Sequence, residues 1–188
     1  YLICRSERPL AEDVKRKIAL FCNVDFGSVI ESRDVPTIYE IPLAFHEQGL
    51  DEHVMRRLNL EGRTPDLGAW REIVHRIVAP RERVRIAVVG KYTDFVDSYK
   101  SVQEALIHGG VANDVGVGID WVSSDRFTDA AAAAQLLDGY DGLLVPGGFG
   151  VRGVEGMVDA IRAARETKLP FFGICLGMQT AIIEFARN

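Results

Sequence analysis

Near its C-terminal end the chain reads Leu169-Pro170-Phe171-Phe172-Gly173-Ile174-Cys175-Leu176-Gly177-Met178-Gln179. Leu169 to Ile174 is a short apolar run with two aromatics between turn residues, which predicts a buried strand. Gln179 to Arg187 carries the spacing of a helix. Cys175 falls at the junction, inside Gly173-x-Cys175-x-Gly177, the cysteine form of a nucleophile elbow. In that turn small flanking residues let a strand bend sharply into a helix and lift the central side chain above the sheet. The amino end of a helix favours negative charge, so this location is expected to activate Cys175 as a nucleophile. A cysteine is commonly just a small buried apolar residue, and glycines beside it ease a turn. Elbow spacing and strand-to-helix context together decide for the nucleophile.

Working outward, the elbow is the last of four strand-helix units. Val84–Val89 predicts a strand and Ser98–His108 a helix ended by Gly109-Gly110. Val115, Val117, Ile119 and Trp121 alternate as in a strand. Thr128 is placed to cap a helix over Asp129–Leu137, Gly142–Val145 predicts a strand, and Val154–Glu166 a helix. Repeated β-α units imply a doubly wound parallel sheet, whose ligands sit outside the carboxyl ends of the strands. The loop after Val145 is Pro146-Gly147-Gly148-Phe149-Gly150-Val151-Arg152-Gly153. Such a loop can turn backbone N–H groups toward a ligand and, with the amide of the residue after the nucleophile, stabilise an oxyanion. It lacks the Gly-Lys-[Ser/Thr] of a phosphate-binding loop.

Upstream, Ala79–Arg83 reads as a linker and a domain boundary. Before it, helices are expected at Asp51–Leu58 and Leu67–Ile77, separated by the turn-rich stretch 59–66. Asp66 is placed to cap the second, and Trp70 belongs to its apolar stripe with Leu67, Ile73, Val74 and Ile77. The first segment opens on a strand ending at Cys4, followed by a helix over Ala11–Phe21 with Val14, Ile18 and Phe21 on one face. Short strands are expected at Val29-Ile30 and Ile38–Ile41. This looks like the trailing edge of an α/β domain, and the chain reads as an internal piece of a longer polypeptide.

With 188 residues, 47% hydrophobic and 26% charged, the composition is that of a globular protein, and a net charge of −5 gives no electrostatic case for binding nucleic acid. No apolar run approaches the roughly 20 residues that cross a bilayer, so a cytoplasmic protein without a membrane partner is expected. Cys4, Cys22 and Cys175 are unrelated in spacing, which suggests neither a disulfide framework nor a zinc site. A thiol nucleophile needs a base, usually histidine. His46, His53 and His75 lie upstream of the predicted sheet, and His108 is expected to cap a helix end. The catalytic histidine is therefore expected outside this chain, and the chain alone is expected to be an incomplete enzyme.

The run Val145–Met157, followed by Gly173–Gln179, resembles the class I glutamine amidotransferases and, within them, the CTP synthase family. Leu2–Ser6, Lys17–Val24, Ile38–Pro42, Gly90-Lys91-Tyr92 and Asp97–Val102 carry the narrower likeness. The resemblance implies residues 1–42 as the C-terminal part of a P-loop-type synthetase domain, 43–83 as a helical linker, and 84–188 as the N-terminal half of a doubly wound glutaminase domain. It implies Cys175 as nucleophile, Gly148 and Leu176 as oxyanion donors, and Gly177, Met178 and Gln179 as the rest of a glutamine-binding elbow. Lys17 would contact UTP or inhibitory CTP, and Arg33, Asp34 and Val35 the ATP adenine. Glutamine, ATP and UTP are the implied substrates, GTP the activator and CTP a feedback inhibitor. Mg²⁺ is expected to be held by synthetase residues outside the chain, and the whole enzyme to be a homotetramer. The glutaminase part of a different amidotransferase, such as GMP synthetase, is a second reading that residues 1–42 oppose. A non-catalytic assembly protein is a third, opposed by the intact Gly-Ile-Cys-Leu-Gly.

Overall fold

The computed structural model describes residues 1–62, 64–93 and 96–188. The chain divides into two compact units, Tyr1–Ala79 and Pro80–Asn188. In the first, β1 (Leu2–Ser6) pairs in parallel with β2 (Val29–Arg33), Leu2 opposite Val29 and Ser6 opposite Arg33. Parallel strands need a crossover, here α1 (Glu12–Phe21). The predicted apolar face of α1 is only partly used. Ala19 is buried, but Phe21 is 84% exposed, because two strands cover only part of a helix.

The strand expected at Ile38–Ile41 does not form. Ile38–Glu40 is a 3₁₀ turn running into α2 (Ile41–Glu47). The Thr37 hydroxyl accepts the Tyr39 N–H at 3.4 Å, and Pro42, in the first helical turn, lacks only an N–H that no helix start could satisfy. A four-residue apolar run fits a strand or a helix start equally, and local capping decided it. α3 (Leu50–Arg57) and α4 (Gly68–Val78) follow. The cap of α4 is Leu67, which offers no side-chain hydrogen bond, and not Asp66; the Asp66 carboxylate, one residue earlier, accepts the Gly68 N–H at 2.9 Å in the two-residue pattern of an Asx turn. Trp70 packs on Tyr39 at 6.1 Å between ring centroids and donates its indole N–H to the Tyr39 carbonyl at 2.8 Å. Arg63, within the expected turn, lies outside the described residues.

The second unit alternates β3 (Glu82–Gly90), α5 (Lys100–Asn113), β4 (Val115–Ser123), α6 (Ala130–Leu136), β5 (Gly142–Val145), α7 (Val154–Thr167), β6 (Phe171–Gly173) and α8 (Leu176–Ala186). All neighbouring strands are parallel, in the order β4-β3-β5-β6. From β3 the chain first steps outward to β4 and then back past β3 to β5, which puts the switch point between β3 and β5. Ala87, Val89, Leu143 and Val145 of the central strands pack with Met157, Ala160, Ile161 and Ala164 of α7 into the core.

Three local expectations are corrected here. Gly109-Gly110 does not end α5, which runs to Asn113 and stops at Asp114 in the left-handed region (φ 58°). Gly110 serves close approach instead, since a Cβ there would lie 2.5 Å from the Val115 carbonyl oxygen. His108 is consequently inside the helix rather than at its end. The cap of α6 is Asp129, whose carboxylate accepts the Ala132 N–H at 2.8 Å, and not Thr128. The predicted buried strand Leu169–Ile174 is the three-residue β6, and Phe172 is 64% exposed because β6 is the sheet's edge.

A buried carboxylate ties α8 to α7. Glu184, 2% exposed, receives the Arg165 guanidinium at 2.9 and 3.2 Å, and that hydrogen bonding holds its carboxyl below the usual glutamate range. A depressed folded-state pKa contributes stability above the unfolded glutamate value, about 4.3, and loses it as pH falls through the folded value. Glu184→Gln is expected to cost about 1–2 kcal/mol at neutral pH, a modest figure because Arg165 itself is half in solvent. Urea unfolding at neutral and acid pH checks this, and the gap between variant and wild type should close in acid.

Candidate active site

At the carboxyl end of β6 the backbone turns abruptly. The Ile174 N–H still donates to the Val145 carbonyl of β5 at 2.9 Å, and the next residue, Cys175, takes φ 52° and ψ −103°. A non-glycine residue in that region carries about 1–3 kcal/mol of strain and persists only where its surroundings over-determine it. They do so here. Gly177 N–H donates to the Ile174 carbonyl at 2.9 Å and Gln179 N–H to the Cys175 carbonyl at 3.1 Å. The Thr180 hydroxyl, fully buried, lies 3.0 Å from the carbonyls of both Leu176 and Gly177. The two elbow glycines are steric necessities: a Cβ on Gly173 would meet Gly177 backbone at 2.6 Å, and one on Gly177 the Val145 oxygen at 2.0 Å. The outcome is an exposed thiol at the amino end of α8.

The loop after β5 forms the facing wall. A Cβ on Gly147 would sit 3.6 Å from the Cys175 Cβ, and one on Gly148 3.3 Å from the Leu176 side chain. Lys91, just past β3 and 6% exposed, buttresses this loop. Its ammonium donates to the Phe149 carbonyl at 3.2 Å and to that of Gly150. Burial, with Arg152 nearby, pushes the Lys91 pKa down. Arg152 in turn donates to the Lys91 carbonyl at 2.8 Å and pairs with Asp125. Between the walls opens a pocket of about 360 Å³ lined by Tyr92, Ser98, Tyr99, Gly147, Gly148 and Cys175, among others. Leu176 opens α8, so its N–H has no partner within the helix and is free to meet charge developing beside Cys175. An exposed thiol at the amino end of a helix, beside a glycine-rich loop in a small pocket, is an arrangement suited to acyl transfer.

The structure thus brings together Cys175, Gly148, Leu176 and Gly177, with Met178 and Gln179 exposed on the first turn of α8. Lys17, Arg33, Asp34 and Val35 belong to the first unit. Lys17 is exposed on α1, Arg33 ends β2 with its Nε 3.1 Å from Glu31, Asp34 pairs with Arg5 at 2.9 Å, and Val35 is half-buried. Arg33 and Asp34 thereby lie at the carboxyl ends of a parallel strand pair, where α/β sheets place ligands. Lys91, Tyr99 and Arg152 had been given no role from sequence. For Lys91 and Tyr99 the signal is the strand-end rule extended to the loop after β3; Arg152 lies in the β5 loop itself, and its partners Asp125 and the Lys91 carbonyl are too distant in sequence to be read from it.

The family model of the class-I glutamine amidotransferases matches residues 94–188. The chain belongs to that family. A second model, the CTP synthase N-terminus, matches residues 1–60. Over its whole length the chain is 56% identical to the CTP synthase of Acidiphilium cryptum, covering 34% of that protein. It is also 54% identical to that of Oleidesulfovibrio alaskensis, covering 34%, and 51% identical to that of Methanocaldococcus jannaschii, covering 36%. The chain therefore spans about a third of the length of the curated relatives it matches. Among solved structures it is similar to the glutaminase domain of Trypanosoma brucei CTPS with bound acivicin, at 45% identity and a TM-score of 0.52, over 56% of this chain and 41% of that one.

Proposed function

We propose that this chain supplies the glutamine-hydrolysing nucleophile and part of the nucleotide site of a CTP synthase, which aminates UTP to CTP at the expense of ATP with ammonia drawn from glutamine. The observation that carries the reading is Cys175, held in a strained elbow opposite the glycine-rich loop of β5. The match of residues 1–60 to the CTP synthase N-terminus favours this enzyme over the glutaminase of another amidotransferase. Residues 1–42 are read as synthetase domain, 43–83 as linker and 84–188 as glutaminase domain.

In the proposed reaction the Cys175 sulfur bonds to the carboxamide carbon of glutamine, and the carbonyl oxygen takes the negative charge against the N–H groups of Gly148 and Leu176. Collapse of that adduct breaks the C–N bond. The nitrogen leaves as ammonia, having taken the proton the thiol gave up, and a glutamyl thioester remains on Cys175. Water then cleaves the C–S bond, giving glutamate and the free thiol. Gly177, Met178 and Gln179 complete the glutamine cradle. The base that shuttles the proton is assigned to a histidine beyond this chain, since His108, the one histidine of the second unit, sits within α5 and does not line the pocket. The ammonia replaces the 4-oxygen of UTP after ATP has phosphorylated it, releasing phosphate. Lys17 is proposed to contact UTP or inhibitory CTP, and Arg33, Asp34 and Val35 the adenine of ATP. The Mg²⁺ of the ATP reaction is proposed to be held by synthetase residues together with the phosphates of the nucleotide.

Activation by GTP, homotetramer formation and a cytoplasmic location belong to the same proposal. No described helix is long and apolar enough to cross a membrane. The test is CTP formation by the protein of which this chain is part, given UTP, ATP, Mg²⁺ and either glutamine or ammonia. Both nitrogen sources are expected to work, and failure of both would overturn the assignment.

A further inference from the structure

An oxyanion donor is useful only if its peptide plane faces the reacting carbon, and the plane carrying the Gly148 N–H lies between two glycines. Such a peptide meets little steric resistance to flipping, so something outside the loop must hold it. In a trans peptide the Gly147 carbonyl and the Gly148 N–H point in opposite directions, and fixing one fixes the other. Among the described residues the Tyr99 hydroxyl is placed to donate to the Gly147 carbonyl oxygen, at 3.5 Å.

Tyr99 is built for a fixed position. It is 5% exposed and stacks on Trp121 of β4, with ring centroids 5.6 Å apart and planes 7° from parallel. A Cβ at Gly90 would come within 2.9 Å of the Tyr99 oxygen, so glycine at that strand end leaves room for the hydroxyl. Burial raises the phenol pKa, keeping its proton in place at neutral pH. Lys91 holds two further carbonyls of the loop, those of Phe149 and Gly150, so three of its oxygens are held by residues that follow β3.

We propose that Tyr99 is a positioning residue for glutamine hydrolysis, its hydroxyl holding the Gly147 carbonyl so that the Gly148 N–H is presented to the oxyanion at Cys175. This rests on the reading of Cys175 and Gly148 given above. The test is Tyr99→Phe in the full-length protein, which keeps the stacked ring and removes only the tether. Complete loss of one oxyanion donor costs roughly 10²–10³-fold in kcat. A donor free to flip is expected to cost about 10- to 100-fold in kcat for glutamine hydrolysis, with KM little changed. Binding of glutamate γ-semialdehyde, whose hemithioacetal with the thiol mimics the tetrahedral adduct, should weaken by a similar factor. Alkylation of Cys175 by iodoacetamide forms no oxyanion and should keep its wild-type rate. The proposal is overturned if kcat and aldehyde affinity are unchanged, or if the alkylation rate and the thermal midpoint fall along with kcat. Failure of the underlying reading would show separately, as glutamine hydrolysis surviving in Cys175→Ala.

Discussion

Cys175→Ala is expected to lower glutamine-dependent CTP formation by about 10⁴-fold or more while ammonia-dependent formation stays close to wild type. The first effect follows because no other group lining the pocket can form the thioester, and the oxyanion donors alone leave only the small residual catalysis seen when a nucleophile is deleted. The second follows because ammonia supplied from solution bypasses the elbow. Folding should be untouched. The Cys175 side chain is exposed, so its loss opens no cavity, and alanine inherits the same positive φ without adding bulk. Initial rates with each nitrogen source, together with the thermal midpoint, decide the matter. A variant that still uses glutamine would show that the strained elbow carries something other than the nucleophile.

Much of this was legible because the second unit repeats one local rule. Its parallel strands are marked by apolar runs or by alternation, each is followed by a helix-forming stretch, and Gly173-x-Cys175-x-Gly177 announces its own turn. Gly142–Val145 is found as a strand with the boundaries its apolar run indicated, and four β-α units specify a parallel sheet almost without choice. The failures lie where one residue type serves two physical ends. Gly109-Gly110 reads as a helix stop, yet Gly110 is there to let α5 approach the Val115 backbone. Ile38–Ile41 reads as a strand, yet Thr37 and Pro42 start a helix. Phe171 and Phe172 read as buried, yet apolar character alone cannot tell a central strand from an edge. Lys91 and Tyr99 went unassigned for another reason. Their roles depend on carbonyls some 50 to 60 positions downstream, and no periodicity records a contact of that range.

Gly177→Ala is expected to be the most damaging of the small changes at the elbow. Gly177 has an ordinary negative φ, so alanine there incurs no penalty of backbone conformation. The obstacle is contact: the new methyl would lie 2.0 Å from the Val145 oxygen and 2.8 Å from its carbonyl carbon. Those atoms belong to β5, a fully buried strand hydrogen-bonded on both sides, and cannot retreat. The start of α8 must move instead, by an ångström or more, and a displacement of about 1 Å at a reacting group can cost 10²-fold in rate. Overpacking of this kind typically costs about 1–3 kcal/mol in stability, and a contact with immovable backbone belongs at the upper end. Gly150→Ala is the matched control. It lies on the facing loop with φ 76° and nothing within 4 Å of a new Cβ, so it should cost only the roughly 1–2 kcal/mol of a left-handed backbone. If steric contact is what shapes the elbow, Gly177→Ala should lose glutamine hydrolysis by about 10²-fold, while Gly150→Ala destabilises without that loss. Urea unfolding and glutaminase assays on the pair measure both. Equal losses of activity in the two variants would show that loop conformation, and not the packing of α8 on β5, sets the position of the thiol.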